Sequence, residues 1–262
     1  MDLQGKVVII TGASSGIGLE TAKAFAREGC RVALAARRGD RLEDARRQVE
    51  EIGAETLVYP TDVQNEEDVR ALVGAVYERW GRVDILVNNA GYGVLKPFVD
   101  SSSAEILDQM HTNYHGAVYA TKVALEYMMP QRSGHIINIA SILAKMPTPG
   151  MAGYSAAKAA LDSLSSSLRA ELSPYGIEVS AVHPSMTRTR FQDNPGFIGV
   201  TRKLSRALSR SPQSVADAIV RVAKRPKAEV YPQLGTQLLP LVRVVLGPLF
   251  RLGLKGLARV YR

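Results

Sequence analysis

The chain has one cysteine, Cys30, one tryptophan, and few aromatic residues of any kind, 6% of 262. A lone cysteine excludes an internal disulfide and fits a reducing compartment. So few aromatics leave no visible stacking platform of the kind that holds single-stranded nucleic acid, and nucleic acid is not an expected partner. Acids are also scarce: 25 Asp and Glu face 33 Lys and Arg, for a net charge of +8 and a pI near 9.6. Such a balance suits an anionic ligand or a membrane surface, or serves solubility alone. Long apolar runs are missing. The uncharged stretches 230–242 and 244–250 fall short of the roughly 18–20 residues a spanning helix needs. The opening MDLQGKVVIITG lacks a basic region followed by a long apolar one, so no signal peptide and a cytoplasmic location are expected. No G-x-S-x-G elbow for a serine hydrolase is present. His111 and His115 have helical i,i+4 spacing, but no nearby acid or cysteine completes a ligand set, so no metal is expected.

Apolar residues make up 46% of the chain, enough for the full core of one α/β domain. Short unalternating apolar runs at 7–10, 32–35, 56–59, 85–87, 135–139, 178–182 and 229–231 read as strands covered on both faces. Helical patterns at 18–28, 41–52, 66–80, 104–128, 154–175 and 214–224 separate them, with Asp40 and Ser211-Pro212 as start signals. Strict alternation predicts an α/β fold with a doubly wound parallel sheet of about seven strands and helices on both faces. Residues 1–231 read as one domain. Within it, 185–212 form a long connection of the kind that often closes over substrates. It carries Arg188, Arg190, Arg202, Lys203, Arg206 and Arg210 against one acid, Asp193.

Gly12, Ser14, Ser15, Gly16, Ile17 and Gly18 lie in TGASSGIG, between the first strand and the first helix. Gly12 permits a tight turn, Gly16 lets the backbone approach a pyrophosphate, and Gly18 allows close helix packing at a positive helix N-terminus. The second strand ends in Arg37-Arg38, where a site for NAD usually has an acid. Guanidinium groups suit a 2′-phosphate, so NADP(H) is the expected cofactor and NAD(H) the alternative. Asp62 after the third strand, with Val63 beside it, is placed to hold the adenine. Asn89, Ala90 and Gly91, after the fourth, are placed to line a ribose.

Tyr154 and Lys158 stand at i,i+4, so both project from one helix face, and Ser141 precedes them by thirteen residues. A free phenol, with a pKa of about 10, is a poor acid–base group near neutrality. A neighbouring ammonium and the charge of an oxidised nicotinamide would lower it. Ser141 can hydrogen-bond a developing oxyanion. The trio predicts transfer of a hydride to a carbonyl carbon and of a proton to its oxygen.

Together, TGASSGIG at 11–18, Asp62, NNAG at 88–91, Asn113, Ser141 and YSAAK at 154–158 resemble the short-chain dehydrogenase/reductase family. The resemblance implies a Rossmann-like fold, Tyr154 as catalytic acid–base, and Lys158 holding the nicotinamide ribose. It implies that Ser141 positions the substrate oxygen and that Asn113 holds a water in a relay to Lys158. Thr187 matches a position that often holds the carboxamide. The family's usual Pro-Gly is Pro184-Ser185 here. A homodimer or homotetramer formed through the helices at 104–128 and 154–175 is likewise implied.

The last segment, 232–262, has Arg243, Arg251, Lys255, Arg259 and Arg262 and no acid. As a helix it would set a basic strip beside Phe250, Leu254, Leu257 and Tyr261. Such a segment can lie on an anionic membrane, or pack over the substrate pocket or on a subunit. The expected activity is reduction of an apolar or lipid-like ketone or aldehyde, a small-molecule partner. The alternative is an NADP-binding regulatory or peripheral membrane protein with little turnover.

Overall fold

The apolar runs become one parallel sheet of seven strands in the order β3-β2-β1-β4-β5-β6-β7. The strands are β1 (Val7–Thr11), β2 (Arg31–Ala36), β3 (Thr56–Pro60), β4 (Ile85–Asn88), β5 (Gly134–Ile139), β6 (Ile177–Val182) and β7 (Glu229–Val230). The computed structural model describes residues 1–188, 209–233 and 235–258. In β1 every side chain is buried, because successive residues enter different cores. Val8 and Ile10 pack with Phe25, Leu34, Leu42, Ile85 and Ile219 on one face. Val7 and Ile9 pack with Val69, Leu72, Val123, Met128 and Val179 on the other. A strand with two covered faces has no reason to alternate in polarity, and its sequence does not. Each such fully buried side chain contributes roughly 1.5–3 kcal/mol of apolar transfer energy.

The first core is covered by α1 (Gly16–Arg27), α2 (Gly39–Glu50) and α8 (Pro212–Lys224). The second is covered by α3 (Glu66–Trp80), α5 (Gly116–Gln131) and α7 (Ala152–Leu172). Helix starts follow local chemistry. Asn65 caps α3 by accepting from Glu67 N, and Gly81 in the left-handed region ends it. Ser102 and Glu105 form a capping box on α4 (Ser103–Met110). Ser211 caps α8, with Pro212 in its first turn, as its sequence signalled.

Two sequence expectations need correction, and one element was not expected. Helix α2 starts at Gly39, and Asp40 lies in its first turn without capping it. The single helix expected over 104–128 is interrupted by a π-helical turn, His111–His115, between α4 and α5. A short helix, α6 (Ile142–Lys145), follows β5; at four residues it is too brief to show a helical period.

The connection after β6 closes at its base. Thr187 and Arg210 form a parallel bridge, and Arg188 N donates to Arg210 O at 2.8 Å. The middle of this expected lid, including Arg190, Asp193, Arg202, Lys203 and Arg206, lies outside the described residues. Beyond β7 come α9 (Leu239–Val245) and α10 (Gly247–Ala258). Leu241, Val244 and Val245 are exposed, and among the described residues no helix is long and apolar enough to cross a membrane. Arg259, Tyr261 and Arg262 of the expected strip lie outside the described residues.

His135 in β5 is fully buried, and its Nε2 lies 2.9 Å from Ser180 Oγ. Burial lowers its pKa to about 4. Between about 4 and the ordinary value near 6.5, the unfolded chain binds a proton that the folded chain refuses. Stability is therefore lost as pH falls through that window. In thermal melts from pH 7 to pH 4.5, His135→Gln is expected to lose less melting temperature than the wild type. Parallel losses would count against His135 as a source of acid lability.

Candidate active site

The sheet reverses direction between β1 and β4, and a crevice at the carboxyl ends of the strands forms at such a reversal. The glycine turn leaves β1 here. Gly12 has φ +67° and Gly16 has φ +58°, values L side chains rarely adopt. A Cβ on Gly12 would lie 2.8 Å from Ala90 Cα, and one on Gly18 would lie 2.3 Å from the Gly12 oxygen. Gly18 thus lets α1 press against the turn itself. Ser15 precedes the helix without a side-chain cap, so the first N–H groups of α1 keep their capacity for an anion. Ser14, Ser15, Gly16 and Ile17 are all partly exposed along this turn.

Asn89 braces the turn. Its Nδ2 donates to Thr11 O at 2.9 Å and Gly12 O at 3.2 Å. The N–H groups of Asn89 and Ala90 both donate to Thr11 Oγ1 at 3.1 Å. Asp62 follows β3, with Oδ1 accepting from Gln64 N at 3.1 Å. Val63 is buried against α5, where a Cβ on Gly116 would lie 2.8 Å from it.

The two arginines after β2 differ. Arg38 is held by Asp40 at 3.0 Å. Arg37 is exposed, and its charge helps hold the Asp108 carboxyl down, after hydrogen bonds from Tyr92 and Gln64. Tyr92, which donates to Asp108, stands directly after Gly91 and was not foreseen as part of this wall.

Ser141, Tyr154, Lys158 and Asn113 gather at the ends of β5 and α7. Ser141 caps α6, its hydroxyl oxygen accepting from Leu143 N at 3.1 Å. Tyr154 and Ser141 are hydrogen-bonded; burial pushes the phenol up to about 12, and the Ser141 hydroxyl works against that rise. Lys158 is buried, with Nζ 2.7 Å from Ile139 O and 5.8 Å from the Tyr154 ring centre. Burial lowers its pKa to about 7. The expectation that Lys158 lowers the tyrosine is therefore not met in the protein alone, because desolvation drives both groups toward their neutral forms.

Asn113 sits in the π turn between α4 and α5, a break that often marks functional sites. Its Nδ2 donates to Tyr92 O at 2.7 Å and Gln109 O at 2.8 Å. Its Oδ1 is buried without a hydrogen-bond partner among the described residues. A Cβ on Gly91 would lie 2.4 Å from that oxygen and 3.3 Å from Lys158 Nζ. Gly91 therefore keeps the two polar groups close across a strip of bare backbone. The glycine cradle, the uncapped helix start and this aimed acceptor fit a nicotinamide dinucleotide.

Pro184 is buried after β6, and its carbonyl accepts from Ile142 N at 3.0 Å. Ser185 keeps a negative φ, so this position tolerates a side chain without backbone strain. Thr187 is buried, with Oγ1 donating to Ser185 O at 3.0 Å. The rings of His111 and His115 lie 5.0 Å apart between centres and are tilted by 33°. A cluster that the sequence did not bring forward, Asp162, His183 and Glu229, has ligand atoms within 4.8 Å of one another. Lys145 Nζ already bridges its two carboxylates, at 2.7 and 2.9 Å.

Comparison with known proteins agrees with this geometry. Residues 6–196 match the short chain dehydrogenase family model. A dehydrogenase/reductase SDR family protein 7-like from Anopheles gambiae is 35% identical over 237 residues, 87% of this chain and 75% of the relative. A short-chain dehydrogenase/reductase from Burkholderia phymatum, solved in complex with NAD, superposes with a TM-score of 0.87 at 26% identity, covering 95% of this chain and 96% of that one. The actinorhodin polyketide ketoreductase, solved with NADPH, gives 0.80 at 31% identity over 87% of this chain and 95% of its own. A family match over most of the chain, a seven-stranded sheet reversing at β1 and β4, and a Ser–Tyr–Lys–Asn cluster beside a glycine turn lead to one conclusion: this chain is a short-chain dehydrogenase, a member of the family of oxidoreductases built on this nucleotide-binding fold.

Proposed function

We propose that the chain is an NADP(H)-dependent oxidoreductase that reduces an apolar or lipid-like ketone or aldehyde and oxidises the corresponding alcohol in reverse. The observation that carries this reading is the meeting of Ser141, Tyr154, Lys158 and Asn113 beside the glycine turn. A protein that only bound the dinucleotide would need no proton donor there. Residues 12–18, Arg37, Asp62, Asn89–Gly91, Lys158 and Thr187 would hold the nicotinamide cofactor, which when bound would supply the hydride for the carbonyl carbon.

The chain's own groups handle the proton. Tyr154 gives its hydroxyl proton to the carbonyl oxygen, and Ser141 donates a hydrogen bond to the same atom. The phenolate left behind is stabilised by a charged Lys158, whose ammonium would also hold the ribose. Asn113 Oδ1, an acceptor facing the Lys158 side, completes the path by which a proton returns. The cytoplasm as location and a homodimer or homotetramer as assembly belong to the same reading, supported by the resemblance.

Arg37, the guanidinium at the end of β2 with no ion pair among the described residues, is the one assigned to the 2′-phosphate. A charge-assisted hydrogen bond contributes about 1.5–3 kcal/mol, or roughly ten- to a hundredfold in affinity. In fluorescence titrations, Arg37→Ala should lose NADPH affinity by about that factor and keep its NADH affinity. Arg38→Ala should lose much less. Equal or tighter binding of NADH by the wild type would assign NAD as cofactor.

Tyr154→Phe and Lys158→Met should lower reduction of 4-nitrobenzaldehyde by about 10²–10⁴-fold, the range for loss of a positioned proton donor. Lys158→Met has a second signature with a definite sign. Between about 7 and the ordinary lysine value, only the unfolded wild type holds the lysine proton, so wild-type stability rises with pH there. The variant lacks that rise. Its melting temperature should exceed that of the wild type most at pH 6, with the gap closing by pH 9.5; a constant gap would contradict a buried lysine that titrates low.

A second reading, favoured by the exposure of Leu241, Val244 and Val245 at 59%, 80% and 67%, is peripheral contact of 232–262 with an anionic bilayer. Co-sedimentation with phosphatidylglycerol vesicles, lost in Val244→Asp/Val245→Asp and in high salt, is the expected result. Equal recovery of both proteins in the supernatant would remove this reading and leave the enzyme untouched.

A further inference from the structure

A network of charged and polar groups lies directly behind Ser141, on residues outside the sequence pattern of the family. Lys145, at the end of α6, extends its ammonium between Asp162 Oδ2 at 2.7 Å and Glu229 Oε1 at 2.9 Å. Asp162 stands on α7 one turn beyond Lys158, and its other oxygen lies 3.3 Å from His183 Nε2. The His183 ring is fully buried, and its Nδ1 lies 3.2 Å from the backbone oxygen of Ser141. Tyr231 stacks on that ring at 4.8 Å between centres and donates to Glu229 Oε2 at 2.6 Å. Ser141 caps α6 and Lys145 ends it. Lys145 is ion-paired to Asp162, and His183 lies between Asp162 and the Ser141 backbone oxygen, with Asp162 Oδ1 and His183 Nε2 in proximity but not hydrogen-bonded among the described residues.

Two uses could explain such a cluster. Asp162, His183 and Glu229 have the donor types of a metal site. The ammonium of Lys145, however, already stands between both carboxylates, and a dication there would have to expel it. The second use follows from α6. One turn of helix has little stability of its own, since nucleation is unfavourable and four residues close few hydrogen bonds. Its N-cap, Ser141, nevertheless carries the hydroxyl assigned as the oxyanion donor, and misplacing such a group by about 1 Å can cost on the order of a hundredfold in rate. Both ends of this turn are pinned to elements of the main sheet and to α7, through partners distant in sequence.

We propose that Lys145, Asp162 and His183 are positioning residues that clamp α6 and so set the Ser141 hydroxyl against Tyr154. None of the three contacts substrate in this role. The assignment rests on the reading of Ser141 as the group that holds the carbonyl oxygen. It adds the polar shell that keeps that group in place, the kind of support on which preorganised sites depend.

A double-mutant cycle on the full chain tests it, with NADPH and 4-nitrobenzaldehyde. Lys145→Met should lower kcat about tenfold, with the NADPH dissociation constant changed less than twofold, and Lys145→Arg should recover most of the loss. In a Ser141→Ala background, Lys145→Met should cost less than twofold, because the hydroxyl it positions is gone. An equal loss in both backgrounds, or a parallel loss of NADPH binding, would overturn the clamp. So would a gain in kcat on adding Zn²⁺ after EDTA dialysis, which would put a metal in the cluster. If Ser141→Ala has wild-type activity, the reading of Ser141 itself fails, a result distinct from a failed cycle.

Hydrogen–deuterium exchange over 141–146 reads the clamp without turnover. Lys145→Met should speed exchange of the Leu143 and Ala144 amides, which bond Ser141 Oγ and Ser141 O, and Lys145→Arg should leave it unchanged. Unchanged exchange in Lys145→Met would overturn the proposal. Asp162→Asn, nearly the same shape, serves the same measurements if Lys145→Met does not fold.

Discussion

Thr11 and Asn89 tie together the ends of the two strands between which the sheet reverses. Thr11 Oγ1 accepts from two successive amides after β4, and the Asn89 amide reaches back to the carbonyls of Thr11 and Gly12. Everything polar in the site depends on this junction. It holds the glycine turn against the end of β4, and it leaves the first turn of α1 pointing into the crevice. With both sheet faces covered by helices, the strand ends are where backbone N–H groups and polar side chains can serve a ligand.

The same close packing sets the electrostatics. Lys158 is buried and Tyr154 half-buried, and desolvation moves both toward neutrality. A site of this kind is tuned by what enters it. A cation beside the phenol, or an acceptor beside the ammonium, acts in a poorly screened environment and is felt strongly. Asn113 Oδ1, without a hydrogen-bond partner among the described residues, adds a buried acceptor near the lysine on the other side of Gly91. Behind these groups Lys145 joins Asp162 to Glu229, each carboxylate sharing its ammonium, while Asp162 Oδ1 and His183 Nε2 have no hydrogen-bond partner among the described residues.

Much of this was legible before any coordinates. All seven strands fall where short apolar runs occur, and in the central strands, covered on both faces, those runs do not alternate in polarity. The helix start at Ser211-Pro212 follows from a side chain that can accept an N–H locally, whereas the caps at Asn65 and Ser102 came only with the structure. What escaped were features with no local period. The π turn around Asn113 inserts a single wide turn into an otherwise helical pattern. The four residues of α6 are too few to display one. Arg37 and Arg38 are neighbours of like charge in the sequence, and only the position of Asp40 distinguishes them.

By itself, the sequence determined the order of strands and helices, the glycine turn, and the spacing that puts Tyr154 and Lys158 on one helix face. Those properties depend on residues within a few turns of one another, so periodicity and turn chemistry suffice to read them. The tertiary structure alone decided that His183 faces Ser141, that Lys145 joins Asp162 to Glu229, and that Gly91 brings Asn113 beside Lys158. These are contacts between segments as much as 84 residues apart, and their free energy depends on distance and exclusion of water, which no local pattern encodes.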